Sequence, residues 1–146
     1  MNDSEMSEER RWVVVKPWEL KGDFVPRPYE RILKVLLSPE NTGSNRLTLL
    51  FAILTPGSRS PLHDHENSET MYITSGRGHG RIDDHDFEVE PDMVVYAAPH
   101  VKHQLVNTSD ETMKILCIHI PSVPKKYTQE MIRQAQDDSL AAAKED

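Results

Sequence analysis

The chain has 146 residues, 37% apolar and 28% charged, the size of one domain able to bury a core without cross-links. Its single cysteine, Cys117, excludes an internal disulfide. With 24 Asp plus Glu against 17 Lys plus Arg, the formal charge of −7 opposes binding to nucleic-acid backbones or anionic membranes. The apolar run over 47–54 falls far short of the roughly 18 residues of a membrane helix, and the opening MNDSEMSEERR is acidic where a signal peptide is basic and then apolar. A cytoplasmic protein without nucleic-acid or membrane partners is therefore expected.

In chain order, residues 1–11 read as a flexible tail, 12–124 as one β domain and 125–146 as a helical tail. Strands are predicted over 12–15, 31–37, 46–54, 70–74, 79–82, 87–90, 93–97, 102–106 and 113–120. Turn chemistry separates them: 39–45 (PENTGSN), Pro56-Gly57, Asp83-Asp84, Pro91-Asp92, Pro99-His100 and 107–111. Many short antiparallel strands at this pitch predict a sandwich or barrel. The strand at 46–54 is apolar on both faces, Leu47, Leu49, Phe51 and Ile53 on one and Leu50, Ala52 and Leu54 on the other. The second face needs a cover, either the N-terminal arm or a second subunit, and a homodimer is expected. The helix over 127–144, with Thr128 as its cap, carries a narrow stripe of Met131, Ile132 and Ala135 and is expected to pack loosely.

The chemistry lies in His63-Asp64-His65 and Glu69. In extended backbone, residues two apart point the same way, so His63 and His65 present two imidazoles to one side, and Glu69 shares their parity. His103, on a later strand, can add a third nitrogen. Three imidazoles and a carboxylate suit a first-row divalent ion, with two neighbouring positions of a six-coordinate site left open for chemistry.

The spacing of Gly57, His63, His65, Glu69 and Gly76 resembles the first motif of the cupin superfamily at every position. Pro91, Pro99, His103 and Asn107 are similar to the second, with Met93 standing where the family usually has glycine. The resemblance covers about residues 31–121. It implies an all-β fold, a double-stranded β-helix or jelly-roll barrel with a short C-terminal helix, commonly dimeric. It also implies one divalent transition metal ion, Fe, Mn, Ni, Co, Zn or Cu, held by His63, His65, Glu69 and His103.

Other residues are placed by parity. Ile115, Cys117 and His119 share a face, making His119 a candidate acid/base group beside the metal and Cys117 a wall residue. Met71 and Ile73 follow the parity of Glu69, and Phe51 and Ile53 are expected to complete an apolar substrate wall. Arg59 and Gln104 flank the ligand segments, and Arg59 is a candidate to pin an anionic group. The function expected is a metal-dependent enzyme acting on a small oxygenated metabolite. An oxygenase comes first, a non-redox decarboxylase, lyase or isomerase second, and a metal-dependent binding or sensing module third.

Overall fold

The structure, a computed structural model, describes residues 8–145; residues 1–7 of the expected tail and Asp146 lie outside the described residues. A 3-10 turn at Pro17–Glu19 precedes β1 (Asp23–Val25), β2 (Arg31–Leu37), α1 (Pro39–Thr42), β3 (Thr48–Leu54), β4 (Ser68–Ser75), β5 (Gly78–Ile82), β6 (His85–Val89), β7 (Val94–Ala97), β8 (His103–Asn107), β9 (Met113–Ile120) and α2 (Lys125–Glu145). Strands β2 and β9 span the predicted residues, and β3 to β8 shift by at most two residues at either end. The strand expected over 12–15 does not form, and Trp12 and Val14 are left exposed. Its alternation has no partner strand, which is what converts an extended segment into a sheet. Strand β1 is only three residues long, too short to show a period, and α1 is stabilised within the predicted turn by a capping box between Ser38 and Asn41.

The strands form two sheets, one of six in the order β1-β2-β3-β9-β4-β7 and one of three in the order β6-β5-β8. All their pairings are antiparallel. These sheets correct the expectation of a closed all-β barrel: each keeps its own edges, and the segment between β3 and β4 meets β8 only through isolated bridges, Arg59 to Val106 and His63 to His103. The physical reason is in that segment. Pro56 and Pro61 have no N–H to donate, so a continuous ladder cannot run through it. The jelly-roll expectation thus gives way to two open layers with a helix.

The core lies between the layers, with Leu50, Leu54, Ile73, Met113 and Ile115 from the larger sheet facing Val89 and Leu105 from the smaller. In β3 the even-numbered residues 48–54 are buried and Leu49, Phe51 and Ile53 are half-buried on the outer face. The N-terminal arm covers part of the outer surface nearby, where Lys34 Nζ donates to the Pro17 carbonyl at 3.1 Å. Helix α2 docks against β1 through Gln136, whose Nε2 donates to Phe24 O at 2.8 Å, and buries Ile132, Ala135 and Ser139. Thr128 lies inside α2 rather than at its cap, with Oγ1 3.4 Å from Pro124 O.

Two turn positions bear on the motifs. Gly76 has φ +91°, and a Cβ there would sit 2.5 Å from Met113 Cα, so only glycine fits between β4 and β5. At the position where the second motif departs, it is Asp92 that takes a positive φ of 71°; Met93 has no such need. Met93 packs instead against the core, and its sulfur accepts the Glu90 N–H at 3.2 Å. Met93→Gly is expected to lower stability by about 1–2 kcal/mol through lost packing and added chain entropy, with metal content unchanged. Urea denaturation and elemental analysis of the variant check both halves.

Candidate metal centre

The segment between β3 and β4 runs beside β8 and is fastened to it at intervals. Asn107 N–H donates to Ser58 O at 2.8 Å and Ser60 N–H to Leu105 O at 2.9 Å; His63 and His103 then exchange backbone bonds of 3.1 and 2.9 Å. This last exchange sets the two histidine rings side by side, centroids 4.5 Å apart. His65 is fixed from the other side, its carbonyl accepting the His100 N–H at 2.8 Å. Glu69, on β4, is paired across the sheet with His119 of β9, which brings a fourth imidazole to the same end.

One ligand atom from each of His63, His65, Glu69 and His103 lies within 4.8 Å of all the others. Glu69 Oε2 is 2.9 Å from His65 Nε2 and 2.7 Å from His103 Nε2, and His119 Nε2 is 3.8 Å from Glu69 Oε1. The opposite ring nitrogens face carbonyls: His63 Nδ1 lies 2.7 Å from Pro61 O, His65 Nδ1 2.8 Å from Asn67 O, and His103 Nδ1 2.9 Å from Val101 O. A carbonyl can only accept, so each Nδ1 carries a proton and turns its Nε2 inward. A carboxylate also only accepts, so the Nε2 atoms of His65 and His103 donate to Glu69 here, and a bound cation would take the place of those protons. The set is capable of coordinating a divalent metal, and its donor chemistry fits one.

The electrostatics agree with that reading. Burial, the largest influence on His63, drives it down to about 4, so its imidazole is neutral at pH 7, the form able to coordinate a metal. Burial pushes the Glu69 carboxyl up, but hydrogen bonds from His103 and His65 and the field of His119 outweigh it and hold the group well below the usual carboxylate range. Burial pushes His103 down, and the Glu69 hydrogen bond and charge reverse this to leave it raised. His119 is lowered, burial outweighing the charge of Glu69.

These directions set a pH dependence for metal-stripped protein. Below 6.5, the ordinary histidine value, the unfolded chain takes up protons that folded His63 and His119 refuse, so stability falls with acidification. His63 alone costs about 3 kcal/mol by pH 4. Above 6.5, stability contributed by the raised His103 is lost as pH climbs through its folded value. A stability maximum near pH 6.5 is expected from thermal melts in the presence of chelator, and a flat profile from pH 4 to 6.5 would contradict it.

The cluster sits at the polar end of a cavity of about 290 Å³ walled by the inner faces of β2, β3 and β9 and by α2. Among the candidate substrate residues, Met71 and Cys117 line this cavity, whereas Ile73 is buried in the core beyond it. Phe51 and Ile53 are placed on the outer face of β3, where Lys114 Nζ lies 4.3 Å above the Phe51 ring. The wall is built by Leu50, Ala52 and Leu54 instead, because a strand apolar on both faces leaves its orientation to whichever face the sheet turns inward. Arg59 stacks over Tyr29 at 5.4 Å, away from the cavity lining, and Gln104 Nε2 donates to Ser60 O at 2.8 Å, bracing the ligand segment. His119 lines the cavity, and its buried Nδ1 has no hydrogen-bond partner among the described residues.

Two cavity elements were not anticipated. Arg31 opens β2 and lines the cavity at 6% exposure; its signal was the parity it shares with Leu33 and Val35. Helix α2 contributes the Met131, Ile132 and Ala135 stripe, which faces the cavity. Outside the site, His79 pairs with Glu88 at 3.2 Å and His85 stacks on Phe87. No helix among the described residues is long and apolar enough to cross a membrane.

Residues 50–119 match the family model of the cupin domain. The chain is 33% identical over 99 residues to an uncharacterized protein of Methanocaldococcus jannaschii, covering 67% of this chain and 79% of that one. It is similar in fold to the crystal structure of a predicted oxalate decarboxylase from Thermotoga maritima (TM-score 0.68, 24% identity, 75% of this chain and 99% of that chain). Ectoine synthase from P. lautus is a second such structure (TM-score 0.67, 18% identity, 82% and 86%). With the match spanning β3 to β9 and a relative 33% identical over two thirds of its length, the chain belongs to the cupin family.

Proposed function

We propose that the protein is a metal-dependent enzyme acting on a small oxygenated metabolite within the cavity, with oxygenase chemistry as the leading reading. The observation that carries it is the convergence of three imidazoles and one buried carboxylate within 4.8 Å at one end of a largely apolar chamber. A polar cluster of this kind costs core stability unless a cation satisfies it.

His63, His65, Glu69 and His103 would hold one divalent ion of the Fe, Mn, Ni, Co, Zn or Cu group. When bound, such an ion supplies Lewis acidity and, if redox-active, electron transfer. The backbone carbonyls of Pro61, Asn67 and Val101 fix the three rings, so no ligand must reorganise when substrate enters. Leu50, Ala52 and Met71 exclude water from the chamber. His119 is our candidate to hold or move a proton at Nε2, supported by its place in the cavity lining and by the burial that keeps it neutral.

A non-redox decarboxylase, lyase or isomerase is the second reading, favoured by the fold shared with the structure named for oxalate decarboxylation. Elemental analysis of protein purified without added metal, followed by oxygen uptake with hydroxy acids and diketones, separates the two. Iron with uptake supports the oxygenase; manganese or zinc with product formation and no uptake supports the second; a ligand bound and released unchanged leaves a sensing module. We further propose a homodimer, supported by the exposed Trp12, Val14 and Trp18 and by the half-buried outer row of β3. Light scattering at twice 16.7 kDa is expected, and a monomer would refute it.

A further inference from the structure

Arg31 is 94% buried, yet no hydrogen bond or ion pair holds its guanidinium among the described residues, and its Nε has no partner. No acid among the described residues pairs with it: of the cavity's carboxylates Asp64 is exposed, Asp138 accepts from Gln134 Nε2 at 2.8 Å, and Glu69 reaches it only through its charge. Glu30 accepts from Thr55 Oγ1 at 2.6 Å and pairs with Arg27 at 3.6 Å, and Glu69 is engaged by His65 and His103. A buried cation without a partner is among the most costly features a fold can keep. This one lines the same cavity as the histidine cluster, amid Leu33, Leu54 and Ile115.

We propose that Arg31 anchors a carboxylate, and that the cavity takes a small organic monoanion with an apolar body. The guanidinium fork matches a carboxylate through two parallel N–H bonds, and departure of that carboxylate would leave the buried guanidinium unpaired again. A phosphate dianion fits less well, because Arg31 is the one Arg or Lys among the described residues lining the cavity. The cavity of about 290 Å³ limits the ligand to a small molecule. Placing the far end of that ligand at the metal centre rests on the functional reading above; the anchor itself does not.

The test is calorimetric titration of the full chain, stripped of metal by chelator, with hexanoate and benzoate against hexanamide and benzamide. The parent protein is expected to prefer each acid over its amide by at least tenfold, and Arg31→Met and Arg31→Gln to lose that preference. Two neutral variants are used so that one that fails to fold does not decide the matter. Equal binding of acid and amide by the parent, or an undiminished preference in a folded variant, would overturn the anchor. Because metal is removed beforehand, a preference carried by the centre is not mistaken for one carried by Arg31. Metal content of the untreated variants, expected to equal that of the parent, reports on the centre separately.

Discussion

Replacing His65 by alanine is expected to lower metal affinity at least a hundredfold while leaving the protein folded. The ring offers one of four donor atoms that lie within 4.8 Å of one another, and loss even of an outer partner to a metal ligand typically costs 10–100-fold in affinity. The fold should survive because His65 is only half-buried and lies outside the cluster of Leu50, Leu54, Ile73, Met113 and Ile115 that forms the core. Glu69→Gln is a sharper version, since it keeps the side-chain volume and removes the charge that raises His103. Elemental analysis after gel filtration, with circular dichroism as the control for folding, reads both variants. Equal metal in variant and parent would dismiss these residues as ligands.

Asn107→Ala should destabilise the protein by about 3–4 kcal/mol, a large part of the roughly 5–15 kcal/mol that holds a domain of this size together. The side chain is fully buried and satisfied on both ends. Its Nδ2 donates to Leu54 O at 3.1 Å, Thr55 O at 3.2 Å and Glu111 O at 2.7 Å, while Oδ1 accepts from Ser109 N at 3.1 Å and Ser109 Oγ at 2.8 Å. Truncation strands the buried Leu54 carbonyl, at a cost of about 1–3 kcal/mol, and unties the part-buried partners at Thr55, Ser109 and Glu111. Asn107→Asp is expected to do no better, since it turns a two-proton donor facing three carbonyls into an acceptor. The same residue joins the end of β3 to β8 and borders the segment that delivers His63, so metal affinity should fall along with stability. Urea midpoints measure the effect; a loss below 1 kcal/mol would mean that water replaces the side chain.

Much of the site was legible because it is local. His63, His65 and Glu69 lie within seven residues, and the period of extended backbone alone places two of them on one side. Motif spacing then singled out His103, but its distance of 34 residues from Glu69 is closed only by the exchange of backbone bonds between residues 63 and 103. Face choice was the part that could not be read. Phe51 and Leu50 are equally apolar, and nothing within 46–54 says which face the sheet turns inward.

What the amino-acid sequence determined by itself was the strand content, the candidate ligand residues as a type and spacing, and the cupin resemblance, because these depend on neighbours along the chain. Tertiary structure alone decided that the strands form two open sheets rather than a closed one, that Leu50 and not Phe51 walls the chamber, and that a lone guanidinium at Arg31 is shut in with the histidines. Those outcomes depend on which surfaces meet across the fold, and the energy of burying a group is set by what it meets there.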